Sequence, residues 1–186
     1  MTTTTALDPT LTGTYALDPT HTRLGFVARH AMVTKVRGSF NEFEGTAHLD
    51  FSDPTRSAVQ LTIQVASVDT RQPQRDEHLR TNDFFDVAQH PTITFTSTGV
   101  EPAGGDDFVL HGDLTIKGVT KPVAVEFAFT GAAKDPFGNE RVGFEGTTAI
   151  DRSDFGVTFN AALETGGVLV SEKVVLEFEV SAVKSA

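Results

Sequence analysis

The chain has 186 residues and no cysteine, and its formal net charge is −10, from 15 Lys and Arg against 25 Asp and Glu. The absence of cysteine excludes disulfides, thiol catalysis and cysteine-based metal sites. The acidic balance argues against nucleic acid or an anionic membrane surface as a partner, because both would repel the chain. The length suits one all-β domain, and no apolar run is long enough for a transmembrane helix.

The first 13 residues are rich in threonine and lack hydrophobic periodicity. This composition predicts a disordered or loosely attached tail over 1–13, followed by a single domain over 14–186. The same stretch shows neither a basic cluster nor an apolar run, so we expect no secretory signal and a cytoplasmic location.

Eight segments of the remaining chain alternate apolar and polar residues with period two. In the second of them, Phe43, Leu49 and Phe51 share one face, while Glu44 and His48 share the other. Successive side chains of a strand face opposite sides of a sheet, so each segment predicts a strand with one dry face. The pattern favours an all-β, antiparallel sheet that closes into a barrel. The segments are 22–30, 40–51, 58–66, 92–100, 107–117, 122–131, 141–151 and 172–183.

One stretch between the third and fourth segments breaks this pattern. Pro73 suits the first turn of a helix, and Asp76 and Arg80 stand at the i,i+4 spacing of helical neighbours. We therefore predict a short helix over 73–82, on a connection long enough to cover one mouth of the barrel.

The apolar face of the strands combines many phenylalanines with small residues. Phe26, Phe95 and Phe127 share this face with Ala28 and Gly112, among others. Two interpretations stay open from the pattern alone. The small residues either let the large ones interdigitate in a packed interior, or they leave a tunnel walled by phenylalanine for an apolar ligand.

Motifs that carry chemistry are sparse. None of the six histidines is arranged as HxH or HExxH, so we expect no metal site. No GxSxG motif exists, and we predict no catalytic residue. His30 continues the inward register of its strand, which makes it a hydrogen-bonded residue at a strand end or a ligand contact at the barrel mouth.

Several motifs together resemble the YceI-like family of bacterial lipid-binding proteins. The resemblance covers roughly residues 15–183, with the motifs in order and at sensible spacing. The motifs are YALDPTH at 15–21, LGFVARH at 24–30, VRGSF at 36–40, RDEHLRTNDFFD at 75–86, HGDLTIKGVTKPV at 111–123 and DRSDFG at 151–156.

The resemblance implies an eight-stranded antiparallel, lipocalin-like barrel with one helix beside it, which binds a long-chain lipid such as an isoprenoid inside. It also implies a homodimer, and no cofactor beyond the bound lipid. With the strand pattern, it predicts an apolar lining of Phe26, Phe43, Leu49, Ile63, Phe95, Leu110, Leu114, Phe127, Phe144, Leu176 and Phe178. Candidate contacts to a polar head group are Arg29, His30, Asp76, His78 and Arg152.

The leading hypothesis is therefore binding, sequestration or transport of an isoprenoid or related lipid in the barrel interior. A second hypothesis is an enzyme acting on such a lipid, with His30 or His78 as general base. A third is a solid barrel that serves as a protein-interaction module.

Overall fold

The computed structural model describes residues 7–185, which form eleven strands and one α-helix. The helix, α1, runs from Pro73 to Arg80. Short 3-10 turns occupy 9–11, 54–56, 65–67 and 152–155. The strands are β1 (Gly13–Leu17), β2 (Arg23–His30), β3 (Thr34–Phe40), β4 (Phe43–Leu49), β5 (Ala58–Gln64), β6 (Val68–Asp69), β7 (Thr92–Gly104), β8 (Asp107–Ile116), β9 (Val119–Lys134), β10 (Glu140–Asp151) and β11 (Lys173–Lys184).

These strands form one antiparallel sheet that closes on itself. The order β1-β4-β5-β7-β8-β9-β10-β11 returns to its start because β11 also pairs with β1. Strands β2, β3 and β6 continue the same sheet from β11. Three longer strands are each interrupted once, giving the pieces β1 and β2, β3 and β4, and β5 and β6. The two pieces of each longer strand pair with the same neighbouring long strands. Counted this way, the fold is the predicted eight-stranded antiparallel barrel.

Polar side chains replace the missing backbone pairing at two of the three strand breaks. Thr22 Oγ1 donates to the Ser181 carbonyl, and the Ser181 N–H donates back to the same hydroxyl, both at 3.0 Å. Ser67 Oγ accepts from the Glu42 N–H at 2.9 Å and donates to the Gln64 carbonyl at 2.6 Å. The barrel therefore bends without leaving these backbone groups unpaired.

The breaks are also where the sequence-based boundaries were wrong. The single strand predicted over 40–51 is split at residues 41–42, and the short strands β1 and β6 and most of β3 were not predicted. The helix lies where we expected it but is two residues shorter at its carboxyl end. The four strands after Asp107 match their predicted segments within three residues at each end.

The tail predicted over 1–13 is packed where the structure describes it. Leu7 and Leu11 pack against a small core cluster around Tyr15, and the Tyr15 hydroxyl donates to the Leu11 carbonyl at 2.6 Å. Gly13 already belongs to β1. Residues 1–6 lie outside the described residues, so the prediction is corrected only for 7–13.

Helix α1 is attached to the barrel through polar contacts. The Gln72 side chain accepts from the Gln74 N–H at the start of the helix. Buried Asp76 accepts from the Thr70 N–H at 2.8 Å, and Arg75 Nε donates to the Thr70 hydroxyl at 2.7 Å. We call the end of the barrel with α1 and residues 81–91 and 152–171 the helix end. Among residues 7–185, no helix has the length and apolar character needed to cross a bilayer.

Candidate ligand cavity

The interior of the barrel contains a cavity of about 320 Å³ whose surface is almost entirely apolar. Its wall is built from inward-facing side chains of nearly every strand, together with residues from the helix end. Ten of the eleven predicted lining residues reach this wall: Phe26, Leu49, Ile63, Phe95, Leu110, Leu114, Phe127, Phe144, Leu176 and Phe178. Whether they bind a ligand stays a prediction, but the cavity favours the tunnel over the packed interior that the sequence pattern also allowed.

Phe43 is the predicted lining residue that lies elsewhere. It opens β4 directly after the break at 41–42, and it is buried in the main core cluster rather than in the cavity wall. The alternation of apolar residues placed Phe43 correctly on the inner face. It could not show that the strand bends at this point.

Several wall residues were missing from the predicted lining. Leu24 and Leu61 stand on the predicted inner faces of their strands, so the periodicity already contained their signal. Phe84 and Phe85 come from the irregular segment after α1 and contact the cavity from the helix end. No periodic pattern marks such a segment, so strand periodicity could not identify these two residues as part of the wall.

The small residues of the inner face serve both purposes that the sequence left open. Ala28 and Ala47 contribute to the cavity wall. Gly112, by contrast, lies directly beneath the ring of Phe95, so that a Cβ there would overlap the ring. Gly38 lies in the same way beneath Phe26, and Gly146 beneath Phe127. Some small residues therefore seat the rings, while others leave space.

Arg152 is the only predicted head-group residue at the cavity wall. Its side chain is buried, and it donates from Nε to the Ser171 carbonyl and from Nη1 to the Val157 carbonyl, both at 2.8 Å. Burial lowers the pKa of Arg152, and the nearby charges of Glu172 and Asp151 partly offset this effect. The guanidinium thus fastens the 156–171 segment to the barrel and spends most of its donors on backbone carbonyls.

The other four candidates lie away from the wall. The Asp76 carboxylate accepts a hydrogen bond from the Thr70 N–H, as described above. His78 Nε2 lies 2.8 Å from Asp83 Oδ2, and its ring packs edge-on against Phe84, one layer behind the cavity. Arg29 and His30 are exposed at the end of β2. Within residues 7–185, no three His, Asp or Glu side chains are grouped so that they could hold a metal ion.

Comparison with known proteins places this barrel in a family. The model of the YceI-like domain matches residues 15–182. A UPF0312 protein of Azotobacter vinelandii is 42% identical over 137 residues, which cover 74% of this chain and 71% of that protein. A UPF0312 protein of Ectopseudomonas mendocina is 40% identical over 161 residues, covering 84% of each chain.

Solved structures show the same fold. The BcnA protein of Burkholderia cenocepacia superposes with a TM-score of 0.78 at 25% identity, over 89% of this chain and 98% of BcnA. A YceI protein of Campylobacter jejuni gives 0.74 at 30% identity, over 85% and 90%. A polyisoprenoid-binding domain from Saccharophagus degradans shares the fold at 18% identity, with a TM-score of 0.70 and coverages of 92% and 98%. The chain therefore belongs to the YceI-like family.

Proposed function

We propose that the barrel binds a long-chain isoprenoid or a related lipid in its cavity, and that it sequesters or carries this lipid. The observation that carries the proposal is the apolar cavity of about 320 Å³ in the barrel interior. An empty apolar space of this size costs contacts that a packed core would make, so the fold retains it at the expense of stability. An apolar guest recovers those contacts.

Chain burial dominates the energetics of such a complex. Each buried methylene contributes roughly 0.8 kcal/mol, whereas one neutral hydrogen bond adds only about 1 kcal/mol. The wall offers almost no polar surface. We therefore expect weak selectivity between chains of similar length, with any polar head group held near a mouth of the barrel.

The comparisons support this class of ligand without fixing its identity. The domain from S. degradans is described as polyisoprenoid-binding, and it has the same fold as this chain. Isoprenoids are branched, flexible hydrocarbons, which suit a cavity lined by phenylalanine, leucine and valine. We infer a binding role rather than a catalytic one; the cytoplasmic location and the homodimer likewise remain predictions.

Extraction of the purified protein tests the proposal directly. We expect organic solvent to release a long-chain lipid that mass spectrometry identifies, and the emptied protein to bind an added prenyl quinone saturably. The proposal would be overturned if the protein released no lipid and bound no long-chain lipid saturably.

A pair of matched substitutions locates the binding. Phe144 lies in the cavity wall, whereas Phe137 is 88% exposed at the tip of the β9–β10 hairpin. Phe144→Glu places a carboxylate in the cavity and is expected to abolish uptake, because burying an unpaired charge is very costly. Phe137→Glu is expected to bind as the unmodified protein does.

A second variant covers the possibility that Phe144→Glu does not fold. Ala28→Leu fills part of the cavity from β2 without adding charge, and we expect it to weaken quinone binding. Ala124→Leu makes the same change at an exposed position of β9 and serves as its control. Equal quinone binding by both leucine variants would place the ligand outside the cavity.

A further inference from the structure

The charge of this acidic chain is distributed unevenly, and one segment is basic. Residues 19–41 contain no Asp or Glu, although the whole chain carries −10. The four basic side chains of this segment belong to β2 and β3: Arg23, Arg29, Lys35 and Arg37. This part of the sheet therefore differs in sign from the rest of the molecule.

Two of these cations face each other without a carboxylate between them. Arg29 and Lys35 are direct cross-strand partners in the β2–β3 ladder, and both are exposed. Arg23 and Arg37 approach Glu177, at 4.0 and 3.5 Å, but among residues 7–185 neither Arg29 nor Lys35 forms an ion pair. Like charges directly opposite each other destabilise a sheet, and the one side-chain hydrogen bond of the pair within residues 7–185 runs from Arg29 Nη1 to the Val33 carbonyl at 3.3 Å, so charge pairing does not account for these cations.

The turn that joins these strands is also unfavourable for its sequence. The Val33 N–H donates to the His30 carbonyl at 3.0 Å, while Ala31 and Met32 have φ angles of 52° and 64°. This is the geometry of a type I′ turn, in which Asn-Gly is preferred because both central residues have positive φ. Instead of small polar residues, the turn presents Met32 and Val33, with 59% and 73% of their surfaces exposed.

The turn lies beside the end wall of the cavity. The Ala31 N–H donates to the Leu169 carbonyl at 2.7 Å, and the Ser171 N–H donates to the Arg29 carbonyl at 3.0 Å. Between these two contacts, Val170 lines the cavity, as does Ala28 one residue before Arg29. The backbone that carries the exposed apolar turn is thus hydrogen-bonded to, and continuous with, backbone that lines the cavity.

We propose that the β2–β3 turn, residues 29–35, docks the protein on an anionic lipid bilayer. The apolar tip, Met32 and Val33, enters the interface, and the basic collar, Arg29 and Lys35, meets the headgroups behind it. Two apolar side chains beside a basic collar match an interface that is apolar below and negative above. An acidic protein surface would meet the cations but would offer no apolar layer for the exposed Met32 and Val33, so it fits the tip less well.

The acidic net charge argued against an anionic membrane surface as a partner, but the charges near the turn differ from the average of the chain. At physiological ionic strength the screening length is about 8 Å, so a docked surface senses mainly the charges near it. Glu164 and Glu172 are exposed on the neighbouring segment and weaken the attraction of the basic side chains for anionic headgroups, whereas the exposed Lys173 adds to it. The tip is therefore only moderately attractive to anionic lipid, and we expect reversible attachment rather than a permanent anchor.

Flotation with vesicles tests the docking in the unmodified full chain. We expect binding to phosphatidylcholine vesicles with 30% phosphatidylglycerol, and much weaker binding to pure phosphatidylcholine. Binding should fall sharply between 0.1 and 0.5 M NaCl, since salt screens headgroup attraction. No binding to the anionic vesicles, or equal binding to both compositions, would overturn the proposal.

Two variants separate the tip from the collar. Arg29→Gln with Lys35→Gln is expected to weaken vesicle binding by about 20- to 30-fold, since each basic residue near the surface contributes roughly a factor of five. Ala31→Asn, Met32→Gly and Val33→Thr together should also abolish flotation. This triple variant gives the turn its preferred residues, so its melting temperature is expected to stay or rise and misfolding would not explain the loss.

The control is Phe137→Ser, which removes an exposed apolar side chain from a hairpin tip at the opposite end of the barrel. It should float as the unmodified protein does, and an equal loss in this variant would mean non-specific adsorption and contradict the proposal. Docking depends only on the surface residues of the turn. Exchange of lipid with the bilayer would depend in addition on the proposed function, lipid binding in the cavity. The triple variant should therefore still bind prenyl quinone in solution.

Discussion

At the scale of single residues, the inner surface of the barrel is shaped by glycines that lie under phenylalanine rings. A Cβ on Gly112 would meet the Phe95 ring and also approach the Thr96 carbonyl at 2.7 Å. Phe95 in turn lines the cavity. The missing side chain at Gly112 thus determines where the ring lies, and the ring determines part of the shape of the cavity.

Substitution of Gly112 by alanine tests this relation. We expect Gly112→Ala to lower the free energy of unfolding by roughly 1–3 kcal/mol, because the ring of Phe95 has to leave its place in a packed wall. Gly99→Ala is the matched control, since Gly99 lies on the adjacent strand with open space around the added Cβ. Urea denaturation measures both, and equal losses in the two variants would contradict the expectation.

The residues that sequence could identify are those whose role follows from periodicity. Phe26 and Phe178 lie in the cavity wall because the alternation of a strand fixes which way a side chain points. The alternation says nothing about distance along the barrel or about hydrogen bonding. For that reason it did not separate Phe43 from the wall or show that Arg152 donates to backbone carbonyls.

At the scale of elements, the breaks in the long strands depend on single hydroxyls. Thr22 and Ser67 pair with backbone groups where the ladder is interrupted. Nothing in the local pattern distinguishes them from other threonines and serines of the chain, so β1 and β6 were not predictable. Strands β8 to β11 were predictable because long runs with clear alternation continue between glycine-rich turns.

One polar network joins elements at the end opposite α1. Arg141 of β10 donates from Nη1 to Asp18, at the break between β1 and β2, at 2.6 Å. It also donates from Nε to Asp135, in the β9–β10 turn, at 2.8 Å. Hydrogen bonds from His21, Thr20 and Arg141 hold the pKa of Asp18 far below its usual range. Desolvation raises the pKa of Asp135, but bonds from Asn139, Arg141 and Phe137 outweigh it and lower that pKa to about 2.

These lowered pKa values predict how stability depends on acid. A carboxylate with a lowered pKa stabilises the fold above its unfolded pKa of about 3.9, and this contribution is lost as pH falls through the folded value. Arg141→Met should therefore lower the melting temperature most at pH 5–7, and the difference from the unmodified protein should shrink between pH 4 and 2. Circular dichroism at several pH values measures this difference.

The control for this prediction is an exposed ion pair. Arg56 lies 3.9 Å from Asp50, and 75% of its side chain is exposed, so the pair contributes little. Arg56→Met is expected to change the melting temperature only slightly at any pH. A loss for Arg141→Met that is the same at pH 2.5 and pH 7 would show that the network does not act through these carboxylates.

At the scale of the whole molecule, closure of the sheet and the presence of a cavity oppose each other energetically. Pairing of β1 with β11 leaves the barrel without a long free edge, which favours a stable fold. The cavity weakens the fold, because its wall lacks packing partners on one side. A ligand that fills the cavity therefore acts on the stability of the entire barrel.

This coupling makes stability a measure of binding. A ligand that binds only the folded protein stabilises it by about 2.7 kcal/mol at a concentration 100 times its dissociation constant. For a domain of this size, that corresponds to a rise in melting temperature of roughly 5–11 °C. We expect the emptied protein to show such a rise with a prenyl quinone, and the rise to grow with the logarithm of the quinone concentration.

The same variants that test binding show whether the rise comes from the cavity. Phe137→Glu should keep the full rise, because its side chain lies outside the barrel. Phe144→Glu should lose it, even if its melting temperature without ligand is lower than that of the unmodified protein. A similar rise in both would mean that the quinone stabilises the protein from its surface, and that filling the cavity is not what couples ligand to fold.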